Sequence, residues 1–338
     1  MDREMVVLKR DPPEGRRCVT PEGTEGTCIN IKSCGTLQDF LKPPVSKKYR
    51  NYVNSHSAIL GPPHPKTGCC GRDKLGETPN PDVAATTIYQ YPWMVLLEYD
   101  NDYVKAIRYR LRTALCGGVL ISSKYVLSAE HCFISICRNS YIPKTVRIGE
   151  YDLFVEGPDC VDVGGGHREC TDGATRVPIE SVYIHHGYNV YFDIALVRLQ
   201  YVVPYTDFIR PICLPNSDVQ EDEPQTFYVT GFGKENLMSQ ISNKKLHVDV
   251  PFVPLEECKK SYAGVTEWKG IICAGGVKGR SPCNGDGGGP LMSYKGFYEL
   301  IGLVSFGPVS DNCGTENFPF IFTKVYHFLP WIRSLIEP

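Results

Sequence analysis

The sequence predicts an all-β protein, a barrel or sandwich of many short strands, preceded by a small cysteine-rich module. Three observations carry this reading. From Tyr89 onward, short β-rich runs alternate with Gly and Pro turn signals. Five cysteines crowd residues 18–70, where apolar runs are few and cross-links must replace a core. The chain ends differently: in YHFLPWIRSLI, Phe328, Trp331, Ile332 and Leu335 share one face at helical spacing.

The elements follow in order. Residues 1–17 are polar and read as a frayed terminus. The cysteine-rich module occupies 18–70. Residues 71–88, GRDKLGETPNPDVAATTI, are rich in turn formers and charge and read as an exposed linker. The large domain spans 89–338, with strands expected at Trp93–Tyr99, Val119–Ile121, Tyr125–Leu127, Thr145–Ile148, Ile194–Leu199, Phe227–Val229 and Leu300–Val304. There is no internal repeat and no low-complexity tract.

Composition excludes several functions. At 338 residues, 42% hydrophobic and 22% charged, the chain is globular. A net charge of −2, from 36 basic and 38 acidic residues, argues against nucleic acid as a partner. No apolar run reaches the roughly 18 residues of a membrane-spanning helix, so a membrane is not a partner either. Fifteen cysteines suit an oxidising, extracellular compartment, and the odd count leaves at least one unpaired or bonded to another molecule. Met1 to Arg17 lacks the apolar stretch of a secretory leader, so the sequence reads as a mature form or an incomplete gene model.

The chemistry is concentrated in three blocks. Cys116-Gly117-Gly118-Val119-Leu120-Ile121 leads to Ser128-Ala129-Glu130-His131-Cys132; Phe192-Asp193-Ile194-Ala195-Leu196 follows, then Cys283-Asn284-Gly285-Asp286-Gly287-Gly288-Gly289-Pro290. Hydrolysis by a serine nucleophile needs a hydroxyl, a base and an acid that orients the base. The order His, Asp, Gly-rich turn resembles the chymotrypsin-like serine proteases over essentially all of 89–338. Tyr91-Pro92-Trp93, Thr230-Gly231-Phe232-Gly233, Ile272-Cys273-Ala274-Gly275 and Val304-Ser305-Phe306-Gly307 match as well. The resemblance implies a double β-barrel with a C-terminal helix.

It also marks departures. The family's turn reads Gly-Asp-Ser-Gly-Gly-Pro, and the serine position here is Gly287. His131 and Asp193 then form a vestigial triad with nothing to activate, while the N–H groups of Gly285 and Gly287 remain for an oxyanion hole. Ser281 falls where the family places the base of its specificity pocket, and Phe320 replaces a pocket-wall glycine after Pro319. Glu130 stands where the family has a small alanine, which calls for an ion pair or hydrogen bond to offset burial. No Ile-Val-Gly-Gly tetrapeptide precedes Trp93 to pair with Asp286 after cleavage; Lys74-Leu75-Gly76-Glu77 is the nearest candidate.

Cys18-Val19-Thr20-Pro21, Gly26-Thr27-Cys28, Cys34, Phe40-Leu41 and Cys69-Cys70 resemble the clip domain of arthropod haemolymph proteases. Carried over, the family pairings imply Cys18–Cys69 and Cys34–Cys70, with Ser57 near the missing cysteine and Cys28 alone. In the large domain they imply Cys116–Cys132, Cys258–Cys273 and Cys283–Cys313, with Cys160 and Cys170 clipping a surface loop. Cys28, Cys137 and Cys213 remain; a Cys213–Cys28 bond is conceivable, and Cys137 is then free or intermolecular.

Weaker signals have plainer alternatives. Glu150, Asp152, Glu156 and Asp159 resemble a trypsin-like calcium loop, with Glu150 and Asp159 as Ca²⁺ ligands. The spacing is one residue short and Cys160 follows at once, so an acidic solvated turn is the alternative. His167 between Cys160 and Cys170 suggests zinc, but an oxidising compartment favours a disulfide. His185-His186 reads as surface. No cofactor is required, with Ca²⁺ the one candidate.

Together the resemblance implies a secreted, non-catalytic serine protease homologue, a binding cofactor for a clip-domain protease or the prophenoloxidase zymogen in an innate immune cascade. The alternatives are an active chymotrypsin-like endopeptidase, suggested by Ser281, and an inhibitory decoy of clip-domain proteases.

Overall fold

Strands form in this chain where β-branched and aromatic residues cluster between turn residues, and two groups of them close on themselves. A computed structural model describes residues 17–19, 25–27, 70–74, 76, 79–80, 83–99, 116–133, 142–185, 192–221, 224–235, 239–266, 268–308 and 313–336. Two short strands, β1 (Arg17–Val19) and β2 (Glu25–Thr27), pair antiparallel at the N-terminal end.

The first barrel contains β3 (Met94–Tyr99), β4 (Gly117–Leu120), β5 (Tyr125–Ser128), β6 (Pro143–Ile148), β9 (Thr175–Ile184) and β10 (Ala195–Leu199). These close in the order β10-β5-β4-β3-β6-β9. Between β6 and β9 a separate hairpin, β7 (Cys160–Gly164) and β8 (His167–Cys170), is bridged by Cys160–Cys170. The second barrel contains β11 (Thr226–Gly231), β12 (Leu246–Val253), β13 (Ile271–Gly275), β14 (Pro290–Tyr294), β15 (Tyr298–Phe306) and β16 (Pro319–Lys324). It closes in the order β11-β12-β13-β16-β15-β14. Closure leaves neither barrel an open sheet edge.

Two helices complete the described elements: α1 (Leu255–Ser261) and the terminal α2 (Val325–Leu335). The helical face expected at the terminus is present, with Phe328 and Ile332 buried and Trp331 and Leu335 partly buried against the first core. That core is built on Trp93, Val95, Leu97, Val119, Leu127 and Leu196; the second on Phe227, Val229, Val250, Leu291 and Phe322. The expected runs all fall on strands. The barrel strands beyond those runs, β9, β12, β13, β14 and β16, carry Pro, Gly or charge that dilutes alternation.

The cysteines bring one correction. Cys116–Cys132, Cys160–Cys170, Cys258–Cys273 and Cys283–Cys313 are bonded as the resemblance implied. Cys70, however, is bonded to Cys213, which displaces both Cys34–Cys70 and Cys28–Cys213. The reason is how the chain leaves the module. Gly71, at φ +67°, donates its N–H to Pro211 O at 2.9 Å and accepts the Tyr298 N–H at 2.6 Å. A side chain there would collide with the Tyr298 carbonyl. Gly71 therefore lies flat on the barrels and delivers Cys70 to Cys213. Cys18–Cys69, Ser57 and Cys137 lie outside the described residues.

The segment after Gly71 is exposed at Gly76, Asn80, Val83–Ala85 and Thr87, yet it is anchored to the barrels. Asp73, Thr86 and Ile88 are buried, and Ala85 bridges to Leu246 at the start of β12. His247 clamps it: one ring nitrogen lies 2.6 Å from Val83 O and the other 2.6 Å from the Tyr91 hydroxyl. Lys74 is held too, with Nζ 3.1 Å from Tyr89 Oη and 3.3 Å from Asp207.

Candidate active site

Two strand-end positions bring the first pair together. His131 lies in a 3₁₀ turn, Glu130–Cys132, directly after β5, and Asp193 lies just before β10. Because β10 pairs with β5, Ala195 opposite Ser128, the two side chains meet. His131 Nδ1 is 2.7 Å from Asp193 Oδ2, and the His131 backbone N–H donates to Oδ1 at 2.9 Å. Ser305 donates its hydroxyl to Asp193 Oδ2 at 2.5 Å, and Thr323 donates to the Asp193 carbonyl at 2.7 Å. Asp193 is thus fixed from both barrels, and its Oδ2 orients the imidazole.

The electrostatics follow from this arrangement. Burial pushes the Asp193 carboxyl up, but hydrogen bonds and charge from His131, with Ser305, more than offset it and hold it below the usual range. Burial pushes the His131 imidazole down, yet Asp193 and the Glu130 charge hold it above its ordinary value. The buried Glu130 makes no ion pair with a described residue; burial and the Asp193 charge push it up to about 7. The expected compensating partner is absent among the described residues, and the carboxyl stays protonated more readily instead.

Opposite the imidazole stands the Gly-rich turn before β14. Gly117 donates its N–H to Gly287 O at 2.7 Å from the first barrel, and Gly288 donates to Val304 O at 2.8 Å in the second. Gly288, at φ +75°, leaves no room for a side chain: a Cβ would lie 2.6 Å from Gly117 O. Gly287 faces His131 directly, and a Cβ built on it would lie 2.6 Å from Nε2 and 3.2 Å from Cε1. The imidazole leans into the space a side chain at 287 would use. The N–H groups of Gly285 (φ +104°) and Gly287 are not taken by backbone carbonyls among the described residues.

Asp286 turns inward. It accepts N–H bonds from Gly233 at 2.8 Å and Cys283 at 3.0 Å, and has no cationic partner among the described residues. Burial pushes its carboxyl up to about 6, against the pull of those two donors. Ser281 donates its hydroxyl to the neighbouring Pro282 carbonyl at 2.8 Å. Phe320, on β16, packs against the second core and lies 5.6 Å from Phe322, ring to ring. Its ring covers Gly307, where even a methyl group would overlap it.

The expected calcium ligands are differently employed. Glu150 and Asp159 are both buried, while residues 154–158 between them, Glu156 included, are exposed. Glu150 Oε2 is ion-paired with the buried Arg147, and Tyr151 donates its N–H to Glu150 Oε1 at 2.9 Å and to Asp159 Oδ2 at 3.1 Å. Asp152 donates to the same Asp159 oxygen at 3.1 Å. Ca²⁺ takes six to eight oxygens, and here three N–H bonds and a guanidinium already engage three of the four carboxylate oxygens. These residues do not fit the ion. The one other metal-like grouping among the described residues, Cys116, His131 and Cys132, has both sulfurs in a disulfide. His185 is not a bare surface residue; its ring packs on Phe192, Phe328 and Trp331 at 5.1–5.4 Å.

Sequence reasoning missed Ser305 and Thr323 as supports of Asp193, Gly307 as the partner of Phe320, and Cys70 as the partner of Cys213. Ser305 and Gly307 lay inside a matched block, but their roles depend on where β15 and β16 run in space.

Two closed six-strand barrels with a His–Asp pair set between them define the class, a chymotrypsin-like serine protease fold. The family profile "Trypsin" matches residues 82–332, and "Regulatory CLIP domain of proteinases" matches 18–57. Relatives include the phenoloxidase-activating enzyme of Bombyx mori, 37% identical over 95% of this chain and 82% of that protein. Phenoloxidase-activating factor 3 of Holotrichia diomphalia is 34% identical, over 95% and 93%; melanization protease 1 of Drosophila melanogaster is 30% identical, over 95% and 93%. The chain belongs to the clip-domain family of chymotrypsin-like serine proteases.

Proposed function

We propose that this chain is a secreted, non-catalytic member of its family that acts by binding, as a cofactor for a clip-domain protease or the prophenoloxidase zymogen. The observation that carries the reading is Gly287: the residue facing His131 Nε2 has no hydroxyl, and the imidazole stands 2.6 Å from where its Cβ would be. As the imidazole stands, it occupies space that a side chain at 287 would need, and His131 has no hydroxyl there to activate. Loss of a nucleophilic serine costs about 10⁶ in rate in well-studied serine proteases. The Phe320 ring over Gly307, at the position the resemblance gives to a pocket-wall glycine, supports a cleft that holds no substrate side chain. The names of the relatives support the cascade, and the five described disulfides support a secreted protein.

The test is direct. The purified protein is assayed on peptide amides and with a fluorophosphonate serine probe, then mixed with an active clip-domain protease and prophenoloxidase. No turnover, no labelling and faster phenoloxidase formation are expected. Robust turnover with covalent labelling would overturn the reading; slower phenoloxidase formation would replace the cofactor with a decoy.

A further inference from the structure

Lys74-Leu75-Gly76-Glu77 is the nearest match in this chain to the tetrapeptide that the family frees by a cut after a basic residue. The state of Lys74 therefore decides whether such a cut can happen here. Its ammonium is seated on the barrels. Nζ donates to Tyr89 Oη at 3.1 Å, lies 4.2 Å from the centre of the same ring and is ion-paired with Asp207 Oδ2 at 3.3 Å. Those partners are themselves fixed. Tyr89 is buried and stacked on Phe208 at 5.1 Å, and Asp207 Oδ1 accepts from Arg210 Nη2 at 2.8 Å. Arg210 is buried in turn and donates through Nε to Thr206 O at 2.9 Å. The seat is thus held together by bonds that do not involve the lysine filling it.

The backbone around Lys74 is held as well. Gly71 is bonded through both its N–H and its carbonyl. The buried Asp73 accepts the Gly76 N–H on Oδ1 at 2.6 Å, closing a turn about Lys74 with Gly76 at φ +63°. Tyr294 donates its hydroxyl to Gly76 O at 3.3 Å. A protease that cuts after a basic residue draws that side chain into its own pocket and lays the flanking chain alongside itself as an extended strand. Neither can happen while Lys74 fills its seat and the Asp73 carboxylate spans to Gly76, so cleavage waits on local opening of the segment. We infer that the Tyr89–Asp207 seat is a lock that shields the bond after Lys74 from proteolysis and keeps the chain uncut at this place. With the lock closed, the amino terminus that the family directs to the counterpart of Asp286 is not released here. The lock owes nothing to Gly287 and stands whether or not the cleft is catalytic.

In the experiment the full chain is incubated with trypsin as the probe protease and new amino termini are labelled. The terminus at Leu75 is then quantified by mass spectrometry after reduction, because Cys70–Cys213 holds the two parts together until then. Wild type is expected to be cut after Lys74 about a hundredfold more slowly than a synthetic peptide of residues 71–82. Tyr89→Phe with Asp207→Asn removes both polar partners of the ammonium but leaves the ring stacked on Phe208; it is expected to be cut about tenfold faster than wild type. A wild-type rate matching that of the peptide, or a folded double variant cut no faster than wild type, would overturn the proposal. If the double variant does not fold, Asp207→Asn alone takes its place, with an acceleration of about threefold expected and an unchanged rate refuting the lock.

Discussion

Restoring a hydroxyl at position 287 is the sharpest test of why the site is silent. In Gly287→Ser the new Cβ would lie 2.6 Å from His131 Nε2, 3.2 Å from Cε1 and 3.6 Å from Cys116 Sγ. Non-bonded atoms rest at about 3.5–4.0 Å, so the imidazole must retreat by about 1 Å. The Asp193 hydrogen bond at 2.7 Å resists that, but the His131 side chain is 39% exposed and can move outward. Overpacking of this kind costs about 1–3 kcal/mol. A regained serine is worth about 10⁶ in rate, or about 8 kcal/mol at 1.36 kcal/mol per tenfold. Steric cost alone therefore leaves a good part of the gain, and the remaining block is Phe320. The expected result is slow labelling of Gly287→Ser by a fluorophosphonate, which needs no side-chain pocket, without turnover of peptide amides. Gly287→Ser with Phe320→Gly should then turn over amides with an aromatic residue before the scissile bond, since Ser281 gives the pocket an uncharged base. The reasoning is wrong if Gly287→Ser alone cleaves those amides as fast as the double variant, or if the double variant is not labelled at all.

Other outcomes follow from single features. Replacing Cys70 and Cys213 by Ser removes a link across 143 residues, which by chain entropy is worth about 5 kcal/mol; a urea midpoint unchanged from wild type would contradict that. Asp286, pushed from 3.8 to about 6 by burial, binds its proton more tightly when folded. Its contribution is full below pH 3.8 and is lost as pH rises through about 6, a span of about 3 kcal/mol at 1.36 per pH unit. Urea melts of wild type and Asp286→Asn should converge in slope above that window and differ within it. His247 runs the other way: burial holds its imidazole below the ordinary 6.5, so its share of stability is present above pH 6.5 and is lost as pH falls. The stability gap between wild type and His247→Gln should therefore narrow in acid; a gap that widens would mean the clamp on Val83 and Tyr91 prefers the charged ring.

Local chemistry and sheet closure divide what could be read in this chain. The short strands and the terminal helical face were legible in residue types and short-range periodicity; four of the five described disulfides, His131, Asp193 and the bare Gly287 were legible through the resemblance of ordered blocks to the chymotrypsin-like family. The partner of Cys70 was not, since a lone cysteine carries no pointer across 143 residues; the course of the chain at Gly71 decides it. Nor was the fate of Glu150 and Asp159. Both read as solvated or metal-bound until β6 brings Arg147 against Glu150. Chemistry missing from a residue can be seen in the sequence, but the groups that surround a buried charge are chosen by tertiary packing, because electrostatic compensation acts through space and not along the chain.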